Sequence, residues 1–174
     1  MRYSKIHKLD VSNGEGVGVA LFVQGCHFHC KNCFNSETWD FSKGKEWDSR
    51  IENLFINYLI DRPYITRISI LGGEPLADKN IDSVNYLLFK IKDRFGDSKK
   101  IWIYTGYTFE EIKNGNSNKS CERKNTLLLA DVLVDGQYID ELKDISLKFR
   151  GSSNQRIINV KKSLEENQVV LYIK

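Results

Sequence analysis

Strand-sized apolar runs alternate with helical patterns over residues 17–134, and this alternation limits the chain to a small set of folds. Gly-Val-Ala-Leu-Phe-Val (18–23), Arg-Ile-Ser-Ile-Leu (67–71), Lys-Ile-Trp-Ile-Tyr (100–104) and Asp-Val-Leu-Val (131–134) each read as a buried strand. Amphipathic stretches lie between them. One starts near Ser49 and puts Ile51, Leu54, Phe55, Tyr58 and Leu59 on one helical face, with Ser49 and Glu52 placed for a capping box. A second gathers Ile81, Val84, Leu88, Ile91 and Phe95, and Thr108 with Glu111 suggests a capping box opening a third. Strands alternating with helices imply a parallel sheet with helical crossovers. At about 30 residues per strand–helix–strand unit, a chain of 174 residues has no room for a closed eight-stranded barrel. The expected fold is therefore α/β, a partial, open (β/α) barrel of parallel strands forming one domain over 1–174. Beyond residue 134, short strands are expected around 146–150, 156–160 and 168–173, with little room for helices. Residues 113–125 are polar and rich in Asn, and read as an exposed loop.

Composition narrows the class. With 41% hydrophobic and 28% charged residues the chain can fill one ordinary core. A formal charge of +3 is too mild for a nucleic-acid groove. No signal-peptide core stands at the N-terminus, and no apolar run approaches a membrane span. A soluble cytoplasmic protein is expected, with reduced cysteines free for metal binding or chemistry.

Three of the four cysteines fall within eight residues, in Gln-Gly-Cys-His-Phe-His-Cys-Lys-Asn-Cys-Phe at 24–34. Cys26, Cys30 and Cys33 have the spacing C-x3-C-x2-C, directly after a predicted strand. In open parallel sheets, ligands gather at the carboxyl ends of strands. Thiolates are the natural ligands of iron–sulfur clusters. Three of them on a four-iron cubane leave one iron open to a guest, as a Lewis acid requires. The competing reading is a zinc site, with His27 or His29 completing a Cys3His tetrahedron; the absence of a second C-x2-C pair weighs against it. Cys121 lies alone in the polar stretch and has no partner by spacing.

Gly72-Gly73 after an apolar strand lets the backbone approach a ligand closely. Glu74 beside them can accept from an ammonium group in a charge-assisted bond. An ordinary Gly-Gly turn with a solvated Glu would have the same sequence. Thr105-Gly106-Tyr107 and Asp135-Gly136 occupy equivalent strand ends, where turn chemistry explains them almost as well as ligand binding.

The C-x3-C-x2-C motif resembles the signature of the radical S-adenosylmethionine superfamily. Leu-Gly-Gly-Glu-Pro at 71–75 resembles that superfamily's GGE motif, and Tyr-Thr-Gly-Tyr-Thr at 104–108 with Asp-Val-Leu-Val-Asp-Gly at 131–136 resemble activating enzymes of glycyl radical proteins. Arg-Gly-Ser-Ser-Asn-Gln-Arg at 150–156 resembles a segment of the subfamily that activates the anaerobic ribonucleoside-triphosphate reductase. The likeness runs from about residue 1 to 160. It implies a 4Fe-4S cluster on Cys26, Cys30 and Cys33, and S-adenosyl-L-methionine as second cofactor. Reductive cleavage would then give a 5′-deoxyadenosyl radical that takes a hydrogen from one glycine of the reductase. It further implies cofactor contacts from Asn32, Cys33, Phe34, Gly72, Gly73, Glu74, Thr105 and Asp135, and a low-potential electron donor such as flavodoxin. The alternatives are an activase of another glycyl radical enzyme, such as pyruvate formate-lyase, or a zinc-bearing binding module.

Overall fold

A computed structural model describes residues 1–173. In chain order the elements are β1 (Arg2–Asp10), β2 (Gly18–Gln24), β3 (Lys45–Glu46), α1 (Ser49–Ile60), β4 (Arg67–Gly72), α2 (Ile81–Phe95), β5 (Lys100–Tyr104), α3 (Phe109–Asn114), α4 (Ser120–Leu129), β6 (Val132–Asp135), β7 (Arg156–Asn159), α5 (Val160–Glu165) and β8 (Leu171–Ile173). All eight strands join one sheet in the order β3-β1-β2-β4-β5-β6-β7-β8.

The fold is α/β as expected, but the sheet is mixed. β2, β4, β5 and β6 pair in parallel, and these are the four strands read from the alternating pattern over residues 17–134. The other pairings, β1–β2, β1–β3, β6–β7 and β7–β8, are antiparallel. The expectation of parallel strands throughout is corrected accordingly. Residues 11–17 between β1 and β2 are too few for a crossover, so β1 can only fold back as a hairpin.

Side chains alternate across the strands, giving the sheet two different faces. Val19, Leu21, Val23, Ile68, Ile70, Ile101, Ile103 and Leu133 pack with Phe55, Leu59, Leu87, Leu88 and Leu127 from the helices. The other face carries Ala20, Phe22 and Leu71 in one cluster and Trp102, Val132, Val134 and Ile157 in another, with Tyr104 against both. β2 is buried at every position, as a central strand covered on both faces must be.

Several local expectations are revised. Asp48, not Ser49, caps α1, accepting from the Ile51 amide at 2.8 Å. Glu52 is instead buried, receiving Trp47 Nε1 at 3.3 Å and Lys90 Nζ at 2.6 Å. Leu54 points outward at 58% exposure. The Thr108–Glu111 capping box forms on α3 as read, and the α2 face is buried at Ile81, Val84, Leu88 and Ile91, with Phe95 partly covered. Residues 113–125 are not one loop, since α4 begins at Ser120. Its inner face is largely polar, with Ser120, Arg123 and Thr126 buried beside Leu127, so hydrophobic periodicity is blind to it. No strand forms at 146–150, where turns replace it, whereas β7 and β8 fall within 156–160 and 168–173. Helix α5 lies in a region expected to have little room for helices, started by Asn159, whose side chain accepts from the Lys162 amide. Among the described residues no helix is long and apolar enough to cross a membrane.

The 11–17 connection folds across the sheet and is held by Arg67. That guanidinium, 1% exposed, donates to the carbonyls of Glu15 (3.1 Å), Asn13 and Asp10 (2.8 Å), and pairs with Asp10 Oδ2 at 2.7 Å. Gly18 must be glycine here, because a Cβ would sit 2.7 Å from the guanidinium. Burial pushes the Asp10 carboxyl up, but donors from Arg67 and Asn13 outweigh it and hold the group below its ordinary value. A carboxylate depressed in the folded state stabilises above the unfolded pKa, and that contribution is lost as pH falls through the folded one. Asp10→Asn, which strands the buried guanidinium charge, should cost about 3–5 kcal/mol at neutral pH. The deficit should shrink below about pH 4, where the wild type loses the same pair; urea unfolding followed by circular dichroism at both pH values checks this.

Candidate metal centre

The cysteine loop leaves the carboxyl end of β2 through Gly25, which has a positive φ of 98° and where a Cβ would come within 2.0 Å of the Phe41 ring. The loop is closed at its base by Gly25 N–H to Thr38 O (2.7 Å) and Cys26 N–H to Trp39 O (3.0 Å). The Gln24 side chain adds bonds to the carbonyls of Glu37 and Asp40. Within the loop, His29 and Asn32 take left-handed backbone, with φ of 49° and 54°. These reversals coil the chain so that Cys26, Cys30 and Cys33 all line one cavity of about 540 Å³. All three are free thiols, partly buried.

Backbone N–H groups face the sulfurs. Cys33 Sγ accepts from Asn35 N–H at 3.4 Å. Burial pushes the Cys26 thiol up to about 11, while the N–H groups of Phe28 and His29 pull the other way. Burial likewise raises Cys30, opposed by the N–H of Tyr138. A metal overrides such a rise, because ligation deprotonates the thiol. N–H donors around sulfur are also what tunes a thiolate-bound cluster. Three thiols on one cavity, each with an amide beside it, therefore fit an iron–sulfur cluster. The two histidines turn elsewhere: His27 Nε2 lies 3.2 Å from Tyr107 Oη, and His29 stacks on Trp39 at 4.8 Å. Neither lines the cavity. Among the described residues no three His, Cys, Asp or Glu side chains close on a single metal-ion position.

The β4 tip forms the next wall. Gly72 has φ of 101°, and a Cβ there would come within 2.9 Å of Phe22 Cα; a Cβ on Gly73 would come within 2.4 Å of Gly25 O. Both glycines are thus demanded by close approach of the β4 tip to the start of the cysteine loop. Glu74 is not a solvated turn residue. It is 1% exposed, with Oε1 accepting from Leu76 N–H and Thr105 Oγ1 and Oε2 from Gly106 N–H, all at 2.8 Å. Its own N–H donates to Gly25 O at 2.8 Å. Burial pushes this carboxyl up to about 7 against the pull of those donors. A carboxylate offers about four lone-pair directions; three are taken, and the remaining one is on Oε2. Asn80, which sequence reading passed over, donates to the carbonyls of Gln24 (3.1 Å) and Glu74 (2.9 Å). A buried Asn at a helix start carries no periodic signal that could have revealed it.

The structure divides the remaining expected residues. Phe34, Thr105, Gly72, Gly73 and Glu74 line the cavity with the cysteines. Asn32 and Asp135 do not. Asn32 donates to Asp140 Oδ2 at 2.7 Å, tying the cysteine loop to the segment after β6. Asp135 is buried and accepts from Phe109 N–H at 2.8 Å and from Arg156, so it holds the start of α3. Arg156 in turn pairs with Glu110. Gln155 builds the 150–156 turn, accepting from Gly151 and Ser152 N–H and donating to Gly136 O. Cys121 stands exposed on α4 and lines no part of the cavity.

The profile of a 4Fe-4S single cluster domain family matches residues 12–158, which contain all three cysteines and the walls just described. Relatives named anaerobic ribonucleoside-triphosphate reductase-activating protein match almost end to end. Those of Vibrio cholerae and Haemophilus influenzae are each 37% identical over 158 residues, covering 90% of this chain and 97% of theirs. That of Escherichia coli is 36% identical over 156 residues, covering 89% and 96%. Matches of this extent take in the cysteine loop, the β4 tip and the 150–156 turn together, and they show that the chain belongs to the family of anaerobic ribonucleoside-triphosphate reductase-activating proteins.

Proposed function

We propose that this protein uses a 4Fe-4S cluster on Cys26, Cys30 and Cys33 to cleave S-adenosylmethionine reductively, and so places a radical on a glycine of an anaerobic ribonucleoside-triphosphate reductase. The observation that carries the reading is the meeting of three thiols and the Gly72-Gly73-Glu74 tip on one cavity. When bound, the cluster supplies one electron to the cofactor's sulfur–carbon bond, with methionine and, after hydrogen transfer from the glycine, 5′-deoxyadenosine as products.

The chain's own residues have separable tasks. The three thiolates would hold the cluster, which would supply an open iron for the cofactor. Glu74 Oε2, with its spare acceptor direction, receives the methionine ammonium, and the glycines let that group approach the backbone. Thr105 fixes the Glu74 carboxylate. Phe34 lines the cavity beside Cys33 and offers the cofactor an apolar contact. Asn32 and Asp135 act from outside it, as positioning residues for the cysteine loop and for α3. The parallel strands β2, β4, β5 and β6 are read as an open, partial (β/α) barrel, whose missing side suits a macromolecular substrate that itself excludes water. Electrons come from a low-potential donor such as flavodoxin, in the cytoplasm, with no nucleic acid or membrane involved.

The reading is tested by anaerobic electron paramagnetic resonance of the reduced, reconstituted protein mixed with reductase and S-adenosylmethionine. A doublet from a radical coupled to one α-hydrogen is expected on the reductase. A signal on pyruvate formate-lyase alone would reassign the partner. Cys26→Ala, Cys30→Ala and Cys33→Ala should each lose the cluster, read as iron and acid-labile sulfide near about four per chain in the wild type, whereas Cys121→Ser should keep it. Glu74→Gln should weaken cofactor binding roughly ten- to a hundredfold with the cluster assembled. It should also lower stability by about 1–3 kcal/mol, because an amide NH2 must then face a backbone N–H. Cofactor titration beside thermal unfolding separates the two effects, and unchanged affinity would leave Glu74 a purely structural group.

A further inference from the structure

Arg150 Nε is buried without a hydrogen-bond partner, and the residue lines the same cavity as the three cysteines. Its guanidinium is fixed at one end only, where Nη1 donates to Gln155 O at 2.9 Å. It takes part in no ion pair among the described residues, unlike Arg67, Arg123 and Arg156. A guanidinium carries five N–H donors and no acceptor, and leaving one buried and unpaired is costly. An incoming acceptor would complete its donor set. The Gln155 amide builds the turn that holds it, and neighbouring Gly151 packs on Phe34 and Tyr138, next to Cys33.

The surroundings indicate what the acceptor belongs to. Ile145, Leu147 and Phe149, from the same segment as Arg150, also line the cavity, and Ile145 is 92% exposed. Phe34, which lines the same cavity, is 61% exposed. An apolar edge enclosing a donor with no partner is complementary to a peptide, whose main chain offers carbonyls and whose side chains offer apolar contact. A glycine has no side chain to recognise, so its Cα can be placed only through the peptide groups on either side. A rigid fork of N–H donors suits two such carbonyls better than a flexible ammonium does.

We infer that Arg150 is a specificity-determining residue that receives the main-chain carbonyls flanking the target glycine of the partner protein. The inference rests on the function proposed above and names a residue for its second substrate. It is tested with reconstituted Arg150→Ala and Arg150→Lys, following glycyl radical formation against reductase concentration and, separately, the dissociation constant for S-adenosylmethionine. For Arg150→Ala the KM for the reductase should rise roughly ten- to a hundredfold, as for loss of a charge-assisted bond, with the cofactor's dissociation constant within about twofold of wild type on the same free-energy scale. Arg150→Lys, which keeps the charge and most of the packing but not the fork, should show the same split with a smaller rise, and it stands in if the alanine variant does not fold. An unchanged KM in both variants would overturn the assignment. A cofactor dissociation constant rising in step with KM would overturn it too, giving Arg150 to the cofactor instead. If the wild type puts no radical on the reductase, the proposed function itself fails and this inference with it.

Discussion

The buried carboxylate of Glu74 is the constraint on which the site depends. Its two oxygens and its own amide join the tips of β2, β4 and β5, three strands that sheet hydrogen bonds align but do not hold together beyond their ends. Gly25, from which the cysteine loop departs, accepts from the Glu74 amide and presses on Gly73. The first cysteine is therefore positioned by a residue nearly fifty places later in the chain. An anion so deeply buried is tolerable only because three donors converge on it. The same crowding explains two adjacent glycines, since a Cβ on either would strike backbone.

Away from the tips, the sheet separates stability from chemistry. The helix-covered face is filled with aliphatic side chains packed on α1, α2 and α4. The other face is mixed: aromatic at Phe22, Tyr104 and Trp102, charged at Arg67. The 11–17 connection lies over that face, where Arg67 takes up its carbonyls and Gly14 is packed on Trp102. Since the folded-back connection is short, it covers part of this face and leaves the part near the strand ends to the cavity.

Two distant stretches share the remaining wall. Asn32 bonds Asp140, Lys31 pairs with Glu141 at 3.0 Å, and Phe34 meets Tyr138 edge-on at 5.3 Å. The cysteine loop is thus braced against the segment between β6 and β7, which also supplies the Tyr138 amide to Cys30. The charged contacts are exposed and individually weak, so the aromatic pair and the coiled backbone carry more of the bracing. Antiparallel β7 brings this about: it starts opposite the end of β6, with Arg156 beside Asp135, so the whole 136–155 segment stays at the site end of the sheet, which a helical crossover to a parallel strand would not allow.

Much of this was legible in the sequence because it is local. C-x3-C-x2-C in a short loop must bring three thiols near one another, and apolar runs of strand length separated by helical periods predict the parallel quartet. Thr108 and Glu111 have the spacing of a reciprocal cap, and they form one. What escaped depends on partners far along the chain. β1 has few apolar residues and is a strand because β2 lies beside it. The buried side of α4 is polar, satisfied by Leu76 O, Asp78 and Asn85, so its pattern resembles a loop. Asp135 sits at a strand end like Thr105, yet pairing with Arg156 turns it from the cavity. Arg150 looks like any surface arginine until the turn around Gln155 covers its Nε. Spacing determined which residues could bind a metal together; only the packed sheet decided which other groups would face them, because burial and hydrogen-bond partnership are set by non-local contacts that no sequence window contains.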